Sequence, residues 1–317
     1  MIGRQSAGRA RSGVPRRSWT LAFGATCVTV ALSGWSGGSA GNAAGGAAAA
    51  GRRLRVVAAF YPAAFLARRV GGTRVSTTTL APPGVEPHDL ELTPGQVDDL
   101  ESADVAVIGG GGFQPVVEDA AGQRDGPTVD LWRSVPAKQR RAGDPHVWLD
   151  PVLVLRMVDG IEHAFVRVDP QGRGSYAHNA RALRSDLHLL DARFRAGLAH
   201  CARRDVVTSH DAFGYLAREY GLRQRSVSGL AADTEPGPER LAQLADFVRK
   251  HHVSTIFTET LVSPRVAKTL ASEAGGVHTA TLDPLEGLSR ARIARGASYL
   301  TVMRENLTAL RTALGCR

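Results

Sequence analysis

Three histidines, His88, His146 and His210, and one aspartate, Asp283, are spaced far apart in this chain, and each follows an apolar stretch or a Pro/Gly-rich turn. Their surroundings are PPGVEPHD (82–89), DPHVWLDP (144–151), VVTSHDAFGYLAREYGL (206–222) and TATLDPLEGL (279–288). This is the pattern of loops at the carboxyl ends of parallel strands, the edge where open α/β sheets bind ligands. Three neutral imidazoles and a carboxylate make a tetrahedral donor set of the kind Zn²⁺ accepts, leaving a local charge of about +1 for neighbouring carboxylates to balance. Glu259 ends a strand of its own and competes with Asp283 for the fourth place. It is read instead as the acceptor for a ligand imidazole N–H, a contact that fixes the tautomer. Glu86 and Asp211 have weaker claims to the same supporting role, and Trp148 and Phe213 read as packing in the cleft walls.

Other groupings fail on geometry. Adjacent residues such as Ser209, His210 and Asp211 point in different directions and cannot form a hydrolase relay. The glycines at 109–112 are followed by Gln114 and no glycine until Gly122, so the dinucleotide fingerprint is missing and a tight turn remains. His163, His178, His188, His200, His251, His252 and His278 lie outside such motifs and read as structural or solvated, with His251 and His252 at most a weak adventitious pair.

A chain of 317 residues, 43% hydrophobic, is long enough for two α/β units with cores of their own. Its formal charge of +9 suggests nucleic acid until it is located: Arg4, Arg9, Arg11, Arg16 and Arg17 carry five of those charges within the first fifty residues, which hold no acid. Elsewhere the arginines alternate with acids, so no nucleic-acid partner is expected. The same fifty residues have a basic start, an apolar stretch over 19–32 and then small residues, the layout of an export signal. The stretch is too short and too interrupted by glycine for a membrane span. Arg16 and Arg17 faintly resemble a twin-arginine signal. Trp35 stands where a lipidated cysteine would follow Leu32-Ser33-Gly34, and Cys27 lies within the apolar stretch, so a lipid anchor is disfavoured. Cleavage after Ala40 or Ala44 would leave Cys201 and Cys316 as a pair, which in an oxidising compartment forms a disulfide.

The elements that must position these residues follow from periodicity. Apolar runs predict strands over 54–60, 76–80 and 103–110, with helices after the first two; 123–143 reads as a surface loop apart from 128–132. A helix starts at Asp150-Pro151. Over 174–203, Ala182, Leu183, Leu187, Leu190, Phe194 and Leu198 keep a near-3.6 period, a long stiff connector. Strands over 205–208, 225–230, 254–258 and 277–282 then alternate with helices over 212–220, 237–251 and 264–274, and 297–314 is an amphipathic helix. The expectation is an α/β fold of two parallel-sheet lobes: a leader over 1–44, a first lobe over 51–168, a linking helix over 170–203 and a second lobe over 204–317.

Taken in order, PPGVEPHD, DPHVWLDP, VVTSHDAFGYLAREYGL, IFTE (256–259) and TLDPLEGL resemble the extracytoplasmic solute-binding proteins of zinc and manganese ABC importers, over about 54–316. The resemblance implies two α/β lobes joined by one long rigid helix, with the metal in the cleft between them. It implies His88 and His146 from the first lobe and His210 and Asp283 from the second as ligands. In the manganese-type branch the third position is usually glutamate; His210 there favours zinc. Many zinc members carry a His-rich acidic loop, whereas this chain has no histidine between His88 and His146, which leaves room for a separate metallochaperone. The reading is therefore a monomeric, exported, non-enzymatic zinc receptor, with Zn²⁺ as the transported ligand and a membrane ABC permease as partner. The alternatives are a manganese or iron receptor of the same family, a zinc hydrolase with an open fourth position, and an adhesin or metal buffer.

Overall fold

The computed structural model describes residues 52–230, 236–261 and 263–317; the leader, its cleavage site and Cys27 lie outside the described residues. β1 (Leu54–Ala58) is followed by α1 (Tyr61–Gly71), β2 (Val75–Thr79), α2 (Pro94–Ser102), β3 (Val105–Ile108), α3 (Pro115–Gly122) and β4 (Thr128–Asp130). Two helices come next, α4 (Pro151–Val168) and α5 (Arg173–Leu198). The second half runs β5 (Asp205–Thr208), α6 (Gly214–Glu219), β6 (Arg223–Ser226), α7 (Pro238–Lys250), β7 (Thr255–Thr258), α8 (Arg265–Glu273), β8 (His278–Thr281), α9 (Arg290–Ala294) and α10 (Tyr299–Leu314).

The two halves use one plan. The first sheet has the order β2-β1-β3-β4 and the second β6-β5-β7-β8, every pairing parallel. Central strands β3 and β7 are buried along their whole length, which is why they read as unbroken apolar runs. The edge strands are harder to read. β6 alternates exposed and half-buried residues and lies at 223–226, ahead of the expected 225–230. β4 is only three residues long and falls within 128–132, the one stretch of that segment that does not read as surface loop.

Helix ends follow local chemistry. Thr93 and Gln96 form a capping box at α2, with Pro94 in the first turn. The Asp150 carboxylate accepts from the N–H of Val152 at 2.9 Å and caps α4. That cap fixes where the chain leaves the DPHVWLDP loop.

The connector is a helical pair. α4 and α5 pack along each other, joined by a single turn at Pro170–Gly172. α5 also packs on α1 on one side and α10 on the other, so it touches both halves. Its buried stripe is Tyr176, Ala180, Leu183, Leu187, Leu190, Phe194 and Leu198, and 26 residues span roughly 39 Å. One apolar core runs from Val56 through Phe60, Trp148 and Phe194 to Tyr299 and Leu314, crossing both sheets. A smaller one lies within the second half around Val207, Ile256 and Leu270.

Cys201, just past α5, is disulfide-bonded to Cys316, just past α10. The bond closes a loop with a sequence separation of 115 residues around the whole second half. Replacing both cysteines with serine is expected to lower the unfolding free energy by about 2–4 kcal/mol. Urea unfolding of the metal-free protein checks this, and an unchanged midpoint would count against a stabilising bond.

Candidate metal centre

Every residue of the centre leaves the carboxyl end of a strand. His88 lies in the loop after β2, His146 between β4 and α4, His210 just after β5, Glu259 just after β7 and Glu286 in the loop after β8. The two sheets present these edges to each other. One ligand atom from each of His88, His146, His210 and Glu286 falls within 4.8 Å of all the others. Glu286 Oε1 lies 3.1 Å from His146 Nε2, 3.2 Å from His210 Nε2 and 3.5 Å from His88 Nε2. His146, His210 and Glu286 are buried, while the His88 side chain keeps 16% of its surface and faces the opening.

Asp283, expected as the fourth donor, is absent from this group; Glu286 stands in its place. Asp283 Oδ1 accepts the N–H of Leu285 at 2.8 Å, closing an Asx turn. Its Oδ2 is paired with Arg292, and its backbone is clamped by Asn306 through bonds of 2.9 and 2.7 Å. Leu285 takes a positive φ of 61°, a conformation rare for a branched side chain. The aspartate is thus spent on folding the loop that delivers the glutamate three residues later. A turn-forming Asp-Pro ahead of a second carboxylate was the signal in TLDPLEGL.

Each buried imidazole is oriented by its other nitrogen. Glu259 accepts from the backbone N–H of His210 at 2.9 Å and from its Nδ1–H. For His146 the same task falls to Asp144, whose Oδ1 lies 3.0 Å from both the backbone nitrogen and Nδ1. Asp144 opens the DPHVWLDP motif and was not singled out from sequence, although an Asp two residues before a buried histidine has this reach. Asp211 makes no hydrogen bond to a site imidazole among the described residues; its N–H bonds to Gly229 O at 2.8 Å. Glu86 Oε1 accepts the backbone N–H of His88 at 3.4 Å, and its Oε2 is buried with no hydrogen-bond partner.

An apolar wall backs the centre. Phe60, Phe113 and Trp148 pack with ring centroids 4.7 to 4.8 Å apart. His88 lies edge-on to Phe113 at 4.5 Å, and His146 sits 5.2 Å from Trp148. Trp148 Nε1–H donates to Pro284 O at 2.8 Å, and Tyr299 OH donates to Trp148 O at 2.7 Å. Phe213 is buried at the start of α6.

Water exclusion sharpens the electrostatics. Burial opposes the charged form of His210, yet Glu259 and Glu286 outweigh it and hold the imidazole at about 11. His146 is likewise opposed by burial and raised overall by Asp144 and Glu286. Burial pushes the Glu286 carboxyl up, but the surrounding imidazoles overcome this and hold it well below its ordinary value. Glu86 rises to about 7, first from burial and then from the nearby Glu286 charge. The metal-free centre therefore stores protons on nitrogens that face one another. His88 Nε2 is buried, makes no hydrogen bond among the described residues and lies 3.5 Å from Glu286 Oε1, turned towards the shared point.

Residues 56–313 match the model of the family described as zinc-uptake complex component A, periplasmic. The chain is 34% identical over 283 residues to the high-affinity zinc uptake system protein ZnuA of Bacillus subtilis, covering 83% of this chain and 88% of that one. It is 32% identical over 278 residues to the zinc-binding lipoprotein AdcA of Streptococcus pneumoniae, covering 82% of this chain and 55% of the relative, so it spans about half of that protein. The structure of the Zn(II)-bound ZnuA-like domain of that AdcA superposes with a TM-score of 0.71 at 32% identity, over 83% of this chain and 99% of the domain. A relative named as a lipoprotein removes support for the expectation that a lipid anchor is disfavoured.

In the metal-free protein, His210 is expected to stay doubly protonated from neutral pH through mildly alkaline pH, because its raised value leaves the charged form dominant below about 11. Nitrogen chemical shifts of the ring across that range check this. A ring that loses its proton near the ordinary histidine value would contradict the stated balance of burial and carboxylates.

Proposed function

The chain belongs to the periplasmic zinc-uptake component A family, and we propose that it is an extracytoplasmic receptor that binds Zn²⁺ with high affinity and delivers it to an ABC importer. The observation that carries this reading is the convergence of three Nε2 atoms and one Glu286 oxygen within 4.8 Å. Four donors at that spacing suit a small tetrahedral dication, and an N₃O set favours zinc over manganese, which prefers harder, oxygen-rich sites. His88, His146, His210 and Glu286 are the proposed ligands. Glu259 and Asp144 keep the imidazole Nδ1–H groups engaged so that each Nε2 lone pair points inward. Zn²⁺ is cargo here, and a carboxylate in the fourth place favours carriage over a catalytic site, which keeps that position open for water.

Binding is an exchange of one dication for protons. Zn²⁺ must displace the proton that His210, held at about 11, carries at neutral pH, and the raised value of His146 acts in the same direction. Affinity therefore rises with pH and falls in acid. The permease is the proposed downstream partner, and the chain works as a monomer. With no histidine between His88 and His146, a separate metal donor is the proposed upstream one.

Calorimetric titration of the metal-free mature protein is expected to give one tight zinc site, weaker manganese binding, and proton release on zinc binding. Glu286→Ala should cost at least about 100-fold in zinc affinity. Asp283→Ala should chiefly lower thermal stability and cost less in affinity. The opposite ranking of the two variants would sink the ligand set, and absence of tight zinc binding would sink the function.

A further inference from the structure

Asp144 uses both carboxylate oxygens. Oδ1 orients His146, and Oδ2 accepts from Arg141 Nε at 2.9 Å. The Arg141 guanidinium also lies across the backbone of Gly214, the first residue of α6 on the other side of the cleft. A β-carbon built on Gly214 would stand 2.6 Å from Arg141 Cζ and Nη2 and 2.7 Å from Nε. Gly214 is not among the glycines with positive φ, so its backbone would accept any residue. The three nearest heavy atoms to that position all belong to the Arg141 side chain. The next residue adds a second tie: Tyr215 OH accepts the Arg141 N–H at 2.7 Å and donates to Asp144 O at 3.1 Å. Trp132 Nε1–H donates to the same carbonyl at 3.1 Å.

We propose that Arg141 is a positioning residue for the metal centre: seated on Gly214 across the cleft, it fixes the Asp144 carboxylate and through it the His146 imidazole. Zinc affinity then depends on a contact between the two halves that lies outside the donor set. The physical reason is directional. A carboxylate held on one oxygen can swing about its Cβ–Cγ bond, whereas one gripped on both oxygens presents a fixed acceptor to Nδ1–H. Moving α6 away withdraws both the floor under the guanidinium and the Tyr215 hydroxyl, and the grip on His146 loosens.

The inference rests on the zinc-receptor reading, and the test separates the two. Zinc affinities are measured by chelator competition for the parent, Gly214→Ala, Arg141→Gln, Asp144→Asn and the paired variants, with thermal midpoints of the metal-free forms. Asp144→Asn is expected to weaken binding about 10- to 100-fold, and Arg141→Gln about 3- to 10-fold. Gly214→Ala should match Arg141→Gln in the parent and add nothing in the Arg141→Gln background, a dependence that general loss of packing would not produce. Arg141→Lys should restore part of the loss. Parent-like affinity for Gly214→Ala, or an equal cost in both backgrounds, overturns the proposal. Should Gly214→Ala fail to fold, additive effects of Arg141→Gln and Asp144→Asn overturn it equally. A parent that binds no zinc overturns the receptor reading instead.

Discussion

A buried carboxylate, Glu286, is hydrogen-bonded by the imidazoles of His146 and His210 and faced by that of His88 at the seam between two sheets, and the rest of the structure follows from keeping that charge satisfied. An unpaired buried charge costs several kcal/mol, so the cluster needs either protons or a dication at its centre. Its neighbours reinforce the demand: Glu259 and Asp144 add negative charge behind two of the rings, and Phe60, Phe113 and Trp148 keep water from screening it. Protons and metal thus compete for the same lone pairs. Affinity is set by how much better one divalent ion satisfies the donors than the protons it replaces.

That competition works only if the donors are already aimed. The β8 loop achieves this with an Asx turn at Asp283, the Arg292 pair, the Asn306 clamp and the positive φ at Leu285, four devices that together fix one glutamate. The DPHVWLDP segment is fixed in its middle by Trp148, keyed to Pro284, and at its carboxyl end by Asp150, which caps α4. Much of the site's specificity therefore lies in residues that never approach the ion, which is usual where a rigid donor set must be pre-formed.

How much of this could be read from the residues varies with the kind of signal. Strands buried on both faces, such as β3 and β7, announce themselves as apolar runs, and the stripe on α5 keeps its period for its whole length, so the two-lobed α/β plan with a long connector was legible. That the three histidines come together was legible because each imidazole sits in a motif with a turn before it or a strand ending beside it. The proposed fourth donor, Glu286, was not. Asp283 and Glu286 share one segment, and choosing between them requires knowing that the shorter side chain is consumed by its own loop. Asp144 was hidden for a related reason, since an aspartate before Pro145 reads first as a turn former. The edge strands β4 and β6 were blurred by their brevity and exposure.

The division of the donors carries the last step. In the receptor reading two come from the first half, His88 and His146, and two from the second, His210 and Glu286, so neither half alone offers more than a pair. Metal–ligand distances tolerate only about ±0.2 Å, and a shift of roughly 1 Å at the seam is enough to break the set. The paired helices α4 and α5 and the Cys201–Cys316 bond oppose a wide hinge. Small displacement is all that release requires, and it is resisted by the shared apolar core and by a short series of hydrogen bonds across the seam: Trp148 to Pro284, Tyr299 to Trp148, Tyr215 to Asp144. Each of these hydrogen bonds contributes about 0.5–1.5 kcal/mol. In the receptor reading, a stiff frame that needs only a small displacement at the seam reconciles tight capture with delivery.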